Sequence, residues 1–214
     1  MTQADPLSGK LFTFEGSEGS GKSTQIELLA DELAGMGHEV VVTREPGGTE
    51  IGEEIRHLLI HNSAGEDMSP ETELLLFAAA RAQLVREVVI PGLEAGKIIL
   101  CDRFLDSTTV YQGAARSISS DPVSYINRFA AASITPDLTF ILDVPAEESM
   151  ARVKRRITGL PDRMERENVD FYKKVREGYL LLARSLPERF YVVDGTRELK
   201  VNQEDILKTV LEHI

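Results

Sequence analysis

The run Gly16-Ser17-Glu18-Gly19-Ser20-Gly21-Lys22-Ser23 fits the pattern G-x-x-x-x-G-K-[ST]. That pattern constrains the chain more than any other feature, because it needs a strand before it and a helix after it. Both are predicted here. Lys10-Leu11-Phe12-Thr13-Phe14 reads as a strand, and the stretch from Ser23 to Met36 reads as a helix. The glycines let the backbone curl until several N–H groups point at one anion. The positive end of the following helix adds to that cradle. Lys22 can then reach the β- and γ-phosphates of a nucleotide, and the Ser23 hydroxyl can ligate Mg²⁺. The predicted ATP contact runs through Gly16, Ser17, Glu18, Gly19, Ser20, Gly21, Lys22, Ser23 and Thr24. The alternative is a glycine-rich turn that binds nothing.

Five short apolar or β-branched runs recur along the chain: Leu11–Phe14, Val40–Thr43, Ile98–Cys101, Thr139–Asp143 and Tyr191–Val193. Their near-continuous apolar character predicts strands covered on both faces. Helical patterns separate them. Ser69-Pro70-Glu71 offers an N-cap, a proline in the first turn and an acid. It opens a helix that Pro91-Gly92 is expected to close. Asp121-Pro122 opens another, and a third is expected from near Glu165, with Phe171, Val175, Tyr179 and Leu182 along one face. Strands alternating with helices predict an α/β fold: a P-loop three-layer sandwich around a five-stranded parallel sheet. No linker divides the 214 residues, so one domain over 1–214 is expected, long enough for a sizeable core.

The net charge of −11 argues against non-specific nucleic-acid binding, since a duplex repels an acidic surface. It leaves small anionic nucleotides possible, because local cations decide those. The single cysteine, Cys101, excludes an intrachain disulfide and reads as a buried thiol. The polar N-terminus and the lack of any run of about 20 apolar residues predict no membrane span, and a cytoplasmic location follows as the expectation.

A P-loop specifies phosphate binding, not a reaction. Arg44-Glu45-Pro46-Gly47-Gly48-Thr49 follows the second strand, and an arginine at the carboxyl end of a parallel strand faces the crevice where such sheets bind ligands. A solvated surface turn would look similar. Phe77 and Arg81 lie four apart on one helix, where ring and guanidinium could sandwich a planar base. A core phenylalanine beside a surface arginine gives the same spacing. Asp102-Arg103 follows the third strand. There the carboxylate could hold Mg²⁺ through water and the arginine could grip a second phosphate. Ser107 to Gly113 adds hydroxyls, an amide and the ring of Tyr111. Between residues 152 and 166, Arg152, Lys154, Arg155, Arg156, Arg163 and Arg166 surround Thr158-Gly159-Leu160-Pro161. That pattern suits a mobile basic lid over an anionic site. Glu18 is out of place in an anion cradle unless it serves a hydroxyl on a second ligand. No histidine falls in these segments. Transfer to a phosphate oxygen needs no general base, because the acceptor is already anionic.

Taken together these segments resemble bacterial thymidylate kinases, which pass a phosphoryl group from ATP to dTMP. The resemblance runs from Phe14-Glu15-Gly16 through Arg44-Glu45-Pro46-Gly47-Gly48-Thr49, Phe77-Ala78-Ala79-Ala80-Arg81-Ala82-Gln83, Asp102-Arg103-Phe104 and Tyr111-Gln112-Gly113 to Asp162-Arg163-Met164-Glu165. It implies Phe77 stacked on thymine and Arg81 bonded to its carbonyl edge, with Thr108 and Gln112 near the base. Tyr111 would exclude a ribose 2′-hydroxyl, Glu18 would meet the 3′-hydroxyl, and Arg44 and Arg103 would bind the acceptor phosphate. Lys22, Arg103 and the lid residues Arg155, Arg156 and Arg163 would be catalytic, with Ser23 and Asp102 at Mg²⁺. A homodimer built on helix packing is also implied. Ala80 departs from the family, which often has Asp before the base-binding arginine. The rival readings are a kinase for another nucleotide or a deoxynucleoside, and a nucleotide-dependent switch. The switch would be supported by a guanine-reading Asn-Lys-x-Asp run, which the sequence lacks.

Overall fold

The computed structural model describes residues 8–61, 68–111, 120–156 and 166–214. Five parallel strands form one sheet: β1 (Lys10–Glu15), β2 (Val40–Arg44), β3 (Ile98–Asp102), β4 (Leu138–Asp143) and β5 (Phe190–Asp194), in the order β2-β3-β1-β4-β5. β1 is central. Phe14 lies beside Asp102 of β3, and Glu15 beside Ile141 of β4. The loops that follow β1 and β3 therefore leave the same edge of the sheet next to each other.

Side chains alternate across the pleat and separate the core into layers. Phe12, Phe14, Leu100 and Phe140 pack on one face against Ile26, Leu29 and Leu33 of α1 (Lys22–Gly35) and Ile206 and Val210 of α9 (Leu199–Leu211). On the other face, Leu11, Ile99 and Cys101 meet Leu84 of α3 (Pro70–Leu84) and Phe104. Beside them Ile141 meets Phe171, Val175 and Tyr179 of α8 (Val169–Ser185). The remaining helices are α2 (Glu50–Arg56), α4 (Ile90–Glu94), α5 (Leu105–Thr108), α6 (Ser120–Ala130) and α7 (Ala146–Arg156). The expected five-stranded parallel sandwich is the observed one.

Three local expectations need correction. The edge strands are not covered on both faces: Val42 on β2 and Val192 on β5, the two edges of the sheet, are 52% and 43% exposed. Pro91 does not close the helix begun at Ser69. After α3 a π-helical turn, Val85–Val89, leads directly into α4, which contains Pro91. Proline lacks the N–H for a regular turn and its ring crowds the carbonyl four residues back, and the widened turn just before it relieves that crowding. The helix expected from near Glu165 begins at Val169, where the Asn168 side chain accepts a hydrogen bond from the Phe171 N–H at 2.9 Å.

Candidate active site

The P-loop emerges from β1 at the carboxyl edge of the sheet. Gly16, Gly19 and Gly21 have φ of 136°, 75° and 97°. An L side chain rarely adopts such values, so the motif's glycines are needed for the curl itself. Gly19 has a second reason: a Cβ there would lie 2.8 Å from the Ser149 carbonyl oxygen of α7. The buried Lys22 side chain folds back into the loop and donates to the carbonyls of Gly16 and Ser17 at 3.3 and 3.1 Å. Burial, and then Arg103, push its ammonium below the ordinary lysine value. Ser23 Oγ donates to Asp102 Oδ2 at 2.8 Å.

A cleft of about 470 Å³ opens above this loop. Its floor is Glu18, Gly19 and Gly21 to Thr24. Arg44, Phe77, Asp102, Arg103, Thr108 and Tyr111 also line it. Arg103 carries the most unusual backbone, φ 70° in a non-glycine residue, held by its N–H donating to the Phe14 carbonyl at 2.9 Å. Its guanidinium donates to Glu18 Oε1 at 2.7 Å and lies over the Tyr111 ring, 5.2 Å from the centroid. Arg44 is half exposed and pairs with Glu53 of α2 at 3.0 Å. Phe77 presents a partly exposed ring to the cleft.

Arg81 stands behind the cleft instead of lining it. It is 1% exposed. Its Nε donates to both oxygens of Glu45 at 3.1 and 2.9 Å, and its terminal nitrogens donate to Asn127 Oδ1 at 2.7 Å, Thr108 Oγ1 at 3.0 Å and the Phe104 carbonyl at 3.1 Å. Thr108, which does line the cleft, therefore connects Arg81 to it. Burial, opposed by Arg81, raises the Glu45 carboxyl to about 7.

Of the basic segment after β4, Arg152 of α7 reaches the cleft wall and donates to the Gly195 carbonyl at 3.1 Å. Arg155 is exposed and bonds its own helix at the Ala151 carbonyl, 3.2 Å away. Gln112, Arg163 and the side chain of Arg156 lie outside the described residues, as does most of the expected lid.

Several contributors carry no motif signal of their own. Arg56 lines the cleft and donates to the Pro46 carbonyl at 2.9 Å. Nothing in a seven-residue helix rich in glutamate marks it out. Buried Glu15 and Tyr179, with the half-buried Ser107, form a cluster beside Arg103. Glu15 Oε1 accepts from the Phe104 and Ser107 N–H groups at 2.8 and 3.2 Å, and burial raises its pKa. In sequence, Glu15 ends a strand and Tyr179 continues the apolar face of α8, so only the fold reveals their meeting.

Among the described residues no three His, Cys, Asp or Glu side chains are grouped to hold a metal. Mg²⁺ does not require such a cage, since it keeps several waters and takes one or two protein oxygens plus substrate phosphates. The Ser23–Asp102 oxygen pair beside Lys22 fits that pattern.

Comparison with known proteins agrees with this geometry. The sequence profile of the thymidylate kinase family matches residues 14–206. The chain is 45% identical to the thymidylate kinase of Thermoanaerobacter sp. (strain X514) over 208 residues, covering 97% of this chain and all of that one. It is 48% identical to the thymidylate kinase of Pelotomaculum thermopropionicum over 96% of this chain and 94% of the relative. The crystal structure of thymidylate kinase from Ehrlichia chaffeensis superposes with a TM-score of 0.76 at 32% identity, covering 94% of this chain and 98% of that one. A P-loop at the edge of a 2-3-1-4-5 parallel sheet, an Asp-Arg pair facing it and this degree of likeness lead to one conclusion: the chain belongs to the thymidylate kinase family.

Proposed function

We propose that the cleft holds ATP and dTMP with their phosphates meeting between Lys22 and Arg103. As a member of its family the enzyme transfers the γ-phosphoryl group of ATP to dTMP, giving ADP and dTDP. A dTMP phosphate oxygen forms the new bond to the γ-phosphorus while the bond to the β,γ-bridging oxygen breaks. The acceptor oxygen is already anionic, so positioning and charge neutralisation carry the catalysis. Lys22 and the P-loop N–H groups hold the donor. Arg103 and Arg44 hold the acceptor phosphate, Phe77 stacks on the base, and Thr108 and Gln112 flank its polar edge, with Arg81 acting from behind through Thr108. Tyr111 fills the space of a 2′-hydroxyl and Glu18 meets the 3′-hydroxyl. Arg155, Arg156 and Arg163, from the basic segment over about 152–166, would neutralise the migrating group as a lid. Ser23 and Asp102 would hold Mg²⁺, which supplies charge neutralisation at the phosphate oxygens.

The observation that carries this reading is Arg103. A guanidinium has five N–H donors. Arg103 has three protein acceptors, Glu18, Ser107 and Tyr179, which leaves two donors to grip a phosphate across from Lys22. A single domain over 1–214 acting in the cytoplasm is consistent with these features. The described residues contain no helix long and apolar enough to cross a membrane. We further propose a homodimer through the outer faces of α3 and α6, which pack side by side and expose Leu75, Tyr125 and Phe129 at 56%, 66% and 70%.

A coupled ADP-release assay across nucleoside monophosphates tests the substrate assignment. Turnover should be highest with dTMP. Preference for AMP, GMP or CMP would overturn it.

A further inference from the structure

Arg103 opens onto the cleft but is held by protein groups around it. Glu18 lies in front at 2.7 Å, and the Tyr111 ring lies against its face. Behind it, one terminal nitrogen donates to two hydroxyl oxygens, Ser107 Oγ at 3.2 Å and Tyr179 Oη at 3.3 Å. Those hydroxyls donate in turn to one carboxylate oxygen, Glu15 Oε2, at 2.6 and 2.7 Å. Tyr179 is 1% exposed and belongs to α8, the helix that follows the basic segment.

The direction of each hydrogen bond follows from the donors available. Glu15 Oε2 accepts from both hydroxyls, so both hydroxyl hydrogens point at it. Both oxygens then turn lone pairs toward Arg103, which only donates. Glu15 Oε1 is filled by the Phe104 and Ser107 N–H groups, so the carboxylate is saturated and cannot swing to meet the guanidinium directly. Glu15 is therefore linked to Arg103 through two polarised hydroxyls, each bond strengthening the next. Without them the guanidinium would rest on Glu18 alone and lean toward the P-loop.

The geometry points to Tyr179 as a positioning residue for phosphoryl transfer, holding Arg103 at the distance from the P-loop that an acceptor phosphate requires. Tyr179 is not among the residues lining the cleft. It acts through Arg103, and the inference rests on the reading of Arg103 as the acceptor-phosphate group. The hydrogen bonds of the Tyr179 hydroxyl run to Arg103, Ser107 and Glu15.

Steady-state kinetics on the whole enzyme, with ATP and dTMP varied separately, test this with Tyr179→Phe, Ser107→Ala, Arg103→Ala and the Tyr179→Phe/Arg103→Ala double variant. Tyr179→Phe removes one oxygen and keeps the ring. It should lower kcat/KM for dTMP by about 10- to 100-fold, the scale of a misplaced reacting group. KM for ATP should stay within about twofold, and Ser107→Ala should show the same asymmetry. In the Arg103→Ala background Tyr179→Phe should cost no more than about twofold, because the two residues act as one unit. An equal loss in both backgrounds, or equal loss toward both nucleotides, would overturn the positioning role. If Arg103→Ala is impaired and Tyr179→Phe is not, the role of Tyr179 alone falls. If Arg103→Ala turns over normally, the acceptor reading falls and the inference with it.

Discussion

Two buried carboxylates, Glu15 and Glu45, stand behind the arginines of this site, and each arginine depends on the one behind it. Glu45 couples the pair to pH. Its carboxyl is raised to about 7, first by burial and against the opposing pull of Arg81. A carboxyl with a folded pKa above its unfolded value binds more protons in the folded state between the two values. Its contribution to stability is therefore present below about 4.5 and is lost as pH rises toward about 7. Glu15, raised in the same direction, adds to that trend. Thermal unfolding from pH 5 to 7 should show a flatter dependence in Glu45→Gln than in the parent, and parallel curves would contradict the assignment. Gly48 gives a second test. Its φ is 77°, and a Cβ would fall 2.4 Å from Thr43 Oγ1 and 2.8 Å from Leu84 Cδ1. Gly48→Ala should cost about 1–3 kcal/mol in a denaturant titration. Of these residues the P-loop and the Asp102-Arg103 pair were legible in sequence, because their chemistry is local to a motif. The support behind them was not. A glutamate at a strand end and a tyrosine at helical spacing read as scaffold until β1, α5 and α8 meet.

At the scale of elements, strand positions followed from apolar runs, while helix ends depended on contacts that periodicity does not register. The π turn before Pro91 and the cap at Asn168 are both cases of this. Asn168→Ala should remove the cap at the start of α8 and cost about 1 kcal/mol of stability, read as a lower Tm. A change within error would mean that tertiary packing alone fixes that helix start. The P-loop is also tied to its neighbours as an element. The fully buried Ser149 of α7 donates to the Glu18 carbonyl, and Gly19 packs directly against α7. Glu18 thus joins the helix leading into the basic segment, through its backbone, to Arg103, through its carboxylate. Ser149→Ala removes a hydrogen bond to the Glu18 carbonyl, with an expected cost of about 0.5–1.5 kcal/mol.

Across the whole molecule, one sheet edge gathers cations onto a protein whose net charge is −11. Lys22, Arg44, Arg56, Arg103 and Arg152 converge on the cleft from five different segments, concentrating positive charge where two anionic nucleotides must approach. The outward faces of α3 and α6 belong to this scale as well. Phe129→Glu should shift a dimer to monomer in sedimentation, whereas an unchanged sedimentation coefficient would remove that face from the interface. The central claim is that the acceptor is held by its phosphate at Arg103, and calorimetry on the purified enzyme tests it most directly. Thymidine monophosphate should bind far more tightly than thymidine, and Arg103→Ala should bring the two together. Equal binding of thymidine and its monophosphate by the unaltered enzyme, or no heat from the monophosphate at all, would contradict it.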